Sequence, residues 1–174
     1  KGGSVITASG QLDVNSFQLT RTNQTTPRFD LRKEYSITVD RGQSLATLSR
    51  LMVTGTQNGK ALLKAELTSP MQISWGNVSN AVGDSALTLT LTKFNLADWK
   101  PFVGEAAPAG IVNMTAKVLS QRGGQHVTFD VDSQIDQLAV NAGSNHFSDV
   151  AITLHAKGSA TDLKQFDLAD YKLE

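Results

Sequence analysis

The chain has no cysteine, and that one absence removes disulfide frameworks, thiolate metal sites and cysteine nucleophiles together. It leaves the compartment open, because bacterial periplasmic and cytosolic proteins both dispense with the residue. Net charge is missing too, since sixteen basic side chains cancel sixteen acidic ones. No long-range field draws the chain to nucleic acid or to an anionic membrane surface. Aromatic residues are only 6% of the sequence, which argues against a carbohydrate-stacking surface built from Trp75, Trp99 and Tyr171. No uninterrupted apolar run is long enough to span a bilayer. The opening Lys1-Gly2-Gly3 has neither an initiating methionine nor a basic, apolar leader, so the sequence reads as a segment excised from a longer parent. At 174 residues it has the size of one β-rich segment or of two repeat units, about 1–96 and 97–174.

Helix signals are nearly absent as well. The best candidate is 96–104, where Asp98 is placed to cap a short turn, Gly104 to end it and Pro101 to limit its length. What is present instead is alternation with period two. From Phe29 to Asp40 the odd positions are apolar except Lys33, and the even ones are polar. Asp40-Arg41-Gly42 turns the chain, Leu45 to Thr56 returns, and Asn58-Gly59 is a strong type I′ hairpin signal before Lys60 to Leu67. Ser69-Pro70 breaks the pairing ahead of Met71, Ile73 and Trp75. Further on, Leu87, Leu89 and Leu91 oppose Thr88, Thr90 and Thr92; Val112, Met114, Ala116 and Val118 form another stripe. Val127, Phe129 and Val131 alternate with Thr128, Asp130 and Asp132, and Val150, Ile152 and Leu154 with Ala151, Thr153 and His155.

The expected fold is therefore mainly β: long antiparallel amphipathic strands in a curved sheet, arranged as a groove or as a sandwich. With no helix to cover it, the aliphatic face must meet another sheet, its own continuation or an apolar ligand. Leu87, Leu89, Leu91, Val127, Phe129, Val131, Val150, Ile152 and Leu154 are the expected lining of that face, by phase alone.

Catalytic and metal chemistry is not visible. His126, His146 and His155 are scattered without metal-motif spacing, and Asp130, Asp132 and Asp136 lack the glycine and terminal glutamate of a calcium loop. No Gly-x-Ser-x-Gly elbow frames a serine, and the glycine pairs lie between strands rather than ahead of a helix. Asn77-Val78-Ser79 and Asn113-Met114-Thr115 match the glycosylation pattern only by coincidence. The expectation is a chain that is not an enzyme and takes no cofactor and no metal.

Three segments share apolar-x-x-Phe-x-Leu: Val14 to Leu19 with Phe17, Leu91 to Leu96 with Phe94, and Leu163 to Leu168 with Phe166. The last two extend further, as Phe94-Asn95-Leu96-Ala97-Asp98-Trp99-Lys100 beside Phe166-Asp167-Leu168-Ala169-Asp170-Tyr171-Lys172. Such spacing points to a repeated multi-strand unit.

The run Ser85-Ala86-Leu87-Thr88-Leu89-Thr90-Leu91, the following Phe94 to Gly104 with Asp98 and Pro101-Phe102, and Pro108-Ala109-Gly110 leading into a new strand resemble the AsmA-like family and its relatives with translocation-and-assembly-module repeats. The resemblance covers the chain well from about Ser85 onward and in style over Arg28 to Trp75. It implies a bent sheet with an apolar concave side, in a protein anchored in the inner membrane and extending through the periplasm. It also implies a role in phospholipid transport or outer-membrane biogenesis, with lipid acyl chains, neighbouring repeats and envelope proteins as partners. The alternative left by the residues is a closed β-sandwich of the ligand-binding or adhesin type.

Overall fold

The computed structural model describes residues 5–21, 24–75, 82–100, 108–142, 145–162 and 164–174, with the backbone alone at 141–142 and 145–146. Among the described residues twelve strands follow one another: β1 (Val5–Phe17), β2 (Thr20–Arg21), β3 (Gln24–Thr25), β4 (Phe29–Asp40), β5 (Leu45–Gln57), β6 (Lys60–Ser69), β7 (Met71–Ser74), β8 (Ser85–Asn95), β9 (Ala109–Gln121), β10 (His126–Ala142), β11 (Asn145–Thr161) and β12 (Gln165–Leu173). Ten of them build one antiparallel sheet in the order β1-β4-β5-β6-β8-β9-β10-β11-β12, with β7 beside β5. The sheet is curved and does not close into a barrel. β2 and β3 form a separate two-stranded ribbon.

The turn chemistry explains the meander. Asn58 and Gly59 take φ of 52° and 74°, the two positive values that a type I′ turn requires between β5 and β6. Pro70 cannot donate to a ladder, and it splits what is otherwise one continuous partner of β5: Met52 faces Glu66 on one side of it, and Leu48 faces Met71 on the other. β1 and β12, which alternate less regularly in sequence, are the two edges of the sheet.

The predicted turn at 96–104 is a 3-10 helix over Leu96–Trp99, and its part from 101 to 104 lies outside the described residues. Its cap is Asn95 rather than Asp98: the Asn95 side chain accepts from the Ala97 N–H at 3.1 Å. Asp98 instead accepts from Gln57 Nε2 at 3.0 Å and from Asn95 Nδ2 at 3.2 Å. A side chain one residue ahead of the turn reaches the free N–H groups that Asp98, already inside it, cannot. The turn thus folds back over the ends of β5 and β6. There the Trp99 ring stacks on Phe94 (centroids 5.8 Å) and tilts against Phe29 (6.1 Å), which meets Phe17 edge-on at 4.9 Å.

A sandwich would bury two inner faces against each other. Among the described residues the buried hydrophobic side chains are Leu62 and Ala160 alone. The accessible surface is 11398 Å², against about 8,200 Å² for a compact monomer of this mass. The strands therefore form one layer, without the dry interior of a closed sandwich.

Candidate functional site: an uncovered apolar face

Register decides which side chains share a face, since a slip of one residue inverts a strand. The pairings carry one apolar row across nine strands: Val14, Leu31, Gly55, Leu63, Leu91, Met114, Ser133, Leu154 and Leu173. A second row runs beside it through Leu89, from Leu12 at one edge past Lys33, Val53, Ala65, Ala116, Val131 and Ala156 to Tyr171 at the other. Eight strand spacings of about 4.8 Å make each row roughly 38 Å long.

All nine residues expected to line the aliphatic face fall on this side. Leu87 leads through Val118 to Phe129, and Ile152 lies opposite Ile135. Val127 faces Ser120 and Ala160, and Val150 faces Leu138 near the far end of β11. Lys33 puts a charge in the second row, and its Nζ lies 5.8 Å from the centre of the Tyr35 ring. Ile6, Ala8, Leu12 and Val14 of β1 and Phe166, Leu168, Tyr171 and Leu173 of β12 extend the same side. Small residues and a bulge had masked their alternation in the sequence.

The repeat residues divide. Phe17 is the last residue of β1 and Phe94 the last but one of β8, each directly after a bulge residue with left-handed backbone, Ser16 (φ 56°) and Lys93 (φ 51°). Each bulge N–H is taken by the next strand in the sheet: Ser16 donates to Asp30 Oδ1 at 2.7 Å, Lys93 to Asn113 Oδ1 at 2.9 Å. Phe17 pairs with Phe29 and Phe94 with Val112, so both acceptors stand one residue past the phenylalanine's partner. Phe166, Leu168 and Asp170 lie on β12 instead, with Phe166 near its start. Leu163 lies outside the described residues. Leu19 sits beyond β1, where its N–H donates to Thr26 Oγ1 at 3.0 Å and its carbonyl accepts from the Thr26 N–H at 2.9 Å. Leu96 and Asp98 belong to the 3-10 turn.

The opposite face is threonine-rich and charged. Lys157 Nζ pairs with Asp130 Oδ2 at 3.3 Å, Arg50 with Glu34 at 2.6 Å, and His155 stands between Asp132 (2.5 Å) and Asp170 (3.8 Å). Ligand atoms of Asp130, Asp132 and His155 lie within 4.8 Å of one another; Asp130 is paired through Oδ2, and its Oδ1 is buried without a hydrogen-bond partner. His126 is 3.4 Å from Thr161 Oγ1, and Asp136 accepts from Gln134 Nε2 at 2.8 Å. Two open depressions of about 470 and 620 Å³ are lined chiefly by polar-phase side chains. The first lies around Thr90, Thr115, Asp132 and His155, the second around Thr88, Lys117, Thr128 and Lys157. Asn77 and Ser79 lie outside the described residues.

No helix among the described residues is long and apolar enough to cross a membrane. No family model, curated protein or solved structure matches the chain.

Proposed function

We propose that this chain is a non-catalytic periplasmic segment of an AsmA-like, inner-membrane-anchored envelope protein, and that its apolar face holds phospholipid acyl chains during lipid transport or outer-membrane biogenesis. The observation that carries the reading is the pair of rows, apolar apart from Ser133 in one and Lys33 in the other, running from one sheet edge to the other with no second layer on them. Aliphatic side chains without clustered polar donors suit methylene chains, whose burial is non-directional and contributes about 0.8 kcal/mol per CH₂. A lipid moving along such a surface exchanges one set of equivalent contacts for the next. Headgroups would remain in water at the rim, so no charged anchor on the face is needed.

Leu89 tests the reading because it sits mid-row, between Ala65 and Ala116. Leu89→Glu puts a charge in the path of the acyl chain without disturbing a closed core. The expected result is a folded variant that loses fatty acid detectable by mass spectrometry after purification, while Thr90→Glu on the opposite face keeps it. Equal lipid content in both variants, or none in the unaltered protein, overturns the reading.

A further inference from the structure

The polar face places three metal-binding side chains at the corners of one cell of the sheet. Asp130 and Asp132 are two residues apart on β10 and so share a face, and β11 sets His155 directly opposite Asp132 and Lys157 directly opposite Asp130. Along the chain Asp132 and His155 are 23 residues apart, so spacing alone points away from a metal and only register brings them together. One donor atom from each of Asp130, Asp132 and His155 lies within 4.8 Å of the other two.

Two features set this cluster apart from an ordinary patch of surface ion pairs. Asp130 gives Oδ2 to Lys157 at 3.3 Å, while its Oδ1 is buried without a hydrogen-bond partner, an acceptor that a bound cation would complete. His155 has its Nδ1 2.5 Å from Asp132 Oδ1 and its Nε2 3.8 Å from Asp170 Oδ2 on β12. One ring nitrogen faces a candidate ligand and the other a carboxylate, the arrangement in which a metal-bound imidazole is held by its second N–H. By contrast Asp13, Arg32, Glu34 and Arg50 on the same face include no histidine and are closed by their own ion pairs.

We propose that Asp130, Asp132 and His155 bind a zinc ion, with Asp170 as the positioning residue that holds the imidazole. A nitrogen donor beside two carboxylates suits zinc better than calcium or magnesium, which take shells of oxygen. Zinc bonds of about 2.0–2.2 Å set neighbouring ligands about 3.3 Å apart, so closure asks for about 1.5 Å of side-chain movement. Asp132 can supply it, its side chain being 68% exposed. Three protein ligands leave the remaining coordination to water, which reaches Asp132 and His155 through the depression they line with Thr90 and Thr115. The ion would tie β10 to β11 across the sheet from the apolar rows. The site therefore stands or falls separately from the lipid reading.

The test titrates zinc chloride into the whole chain, stripped of metal by chelator, and follows the heat of binding. The expected result is one saturable site per chain. His155→Gln and Asp130→Asn should each lose it, while His126→Gln, which removes a histidine outside the cluster, should keep it. Should His155→Gln lose its fold, Asp132→Asn serves in its place, because that exposed side chain packs against no core. Asp170→Asn should weaken binding roughly tenfold and shift the visible absorption of the cobalt-loaded protein, with the metal-free circular dichroism unchanged. Absence of binding overturns the inference. So does a site that survives loss of the His155 imidazole or the Asp132 carboxylate, or one that disappears equally with His126→Gln, which would mark adventitious binding. An Asp170→Asn variant unchanged in both affinity and spectrum overturns the positioning role.

Discussion

The ring of Phe129 lies over Gly158 on the neighbouring strand, so close that a β-carbon on the glycine would come within 2.5 Å of the ring Cζ. The same β-carbon would stand 2.5 Å from the Asp167 carbonyl oxygen of β12. Tyr35 covers Gly10 in a related way at the other end of the sheet, where the contacts to an added carbon are 3.0–3.1 Å and all come from the Tyr35 side chain, its hydroxyl nearest. In both places an aromatic from an inner strand packs down on a glycine of its neighbour.

The difference between the two sites makes a prediction. Gly158→Ala must displace backbone as well as a ring and should destabilise the protein by about 2–3 kcal/mol, whereas Gly10→Ala needs only a shift of the Tyr35 ring and should cost under about 1 kcal/mol. Urea unfolding measures both. Adding Phe129→Leu to Gly158→Ala should recover only part of the loss, because the Asp167 carbonyl stays where it is.

Trp99 joins the ends of two strands that do not pair with one another, β4 through Phe29 and β8 through Phe94. Trp99→Ala should therefore destabilise by about 2 kcal/mol, a half-buried ring losing two aromatic contacts, and Trp99→Phe by about half as much. Thermal unfolding gives the magnitudes.

The paired bulges are expected to respond in parallel. Lys93→Gly and Ser16→Gly relieve a left-handed backbone and should be neutral or stabilising by up to about 1 kcal/mol, while Lys93→Val should destabilise. Removing the acceptors by Asp30→Ala or Asn113→Ala should cost about 1 kcal/mol each. A large effect at one bulge and none at the other would separate two sites that the geometry treats as equivalent.

Much of this sheet is legible in the sequence and some is not, for identifiable reasons. Leu87, Leu89 and Leu91 announce their strand because the alternation is strict and the residues are large. Ile6, Ala8, Gly10, Leu12 and Val14 share that phase but include alanine and glycine, so β1 is weakly marked. The heptads beginning at Phe94 and Phe166 are nearly the same string, yet one bends into a 3-10 turn and the other stays extended in β12. Tertiary partners decide between them: Trp99 finds Phe29 and Phe94, whereas Tyr171 finds Ala156 on an adjacent strand. Phase fixes which residues share a face, but identical phases serve a sandwich and an open sheet. The choice between those two depends on what meets the face, and alternation is silent on that.

Neighbouring residues of β8 provide the most direct test of the central proposal. A photoreactive amino acid at position 89 points to the apolar face and one at position 90 to the polar face, within the same strand and the same fold. Irradiated in cells as part of its parent, the protein labelled at 89 should form a phospholipid adduct by mass spectrometry, and the protein labelled at 90 should not. Adducts of equal yield at both positions, or adducts at 89 to protein alone, would contradict a lipid-carrying face.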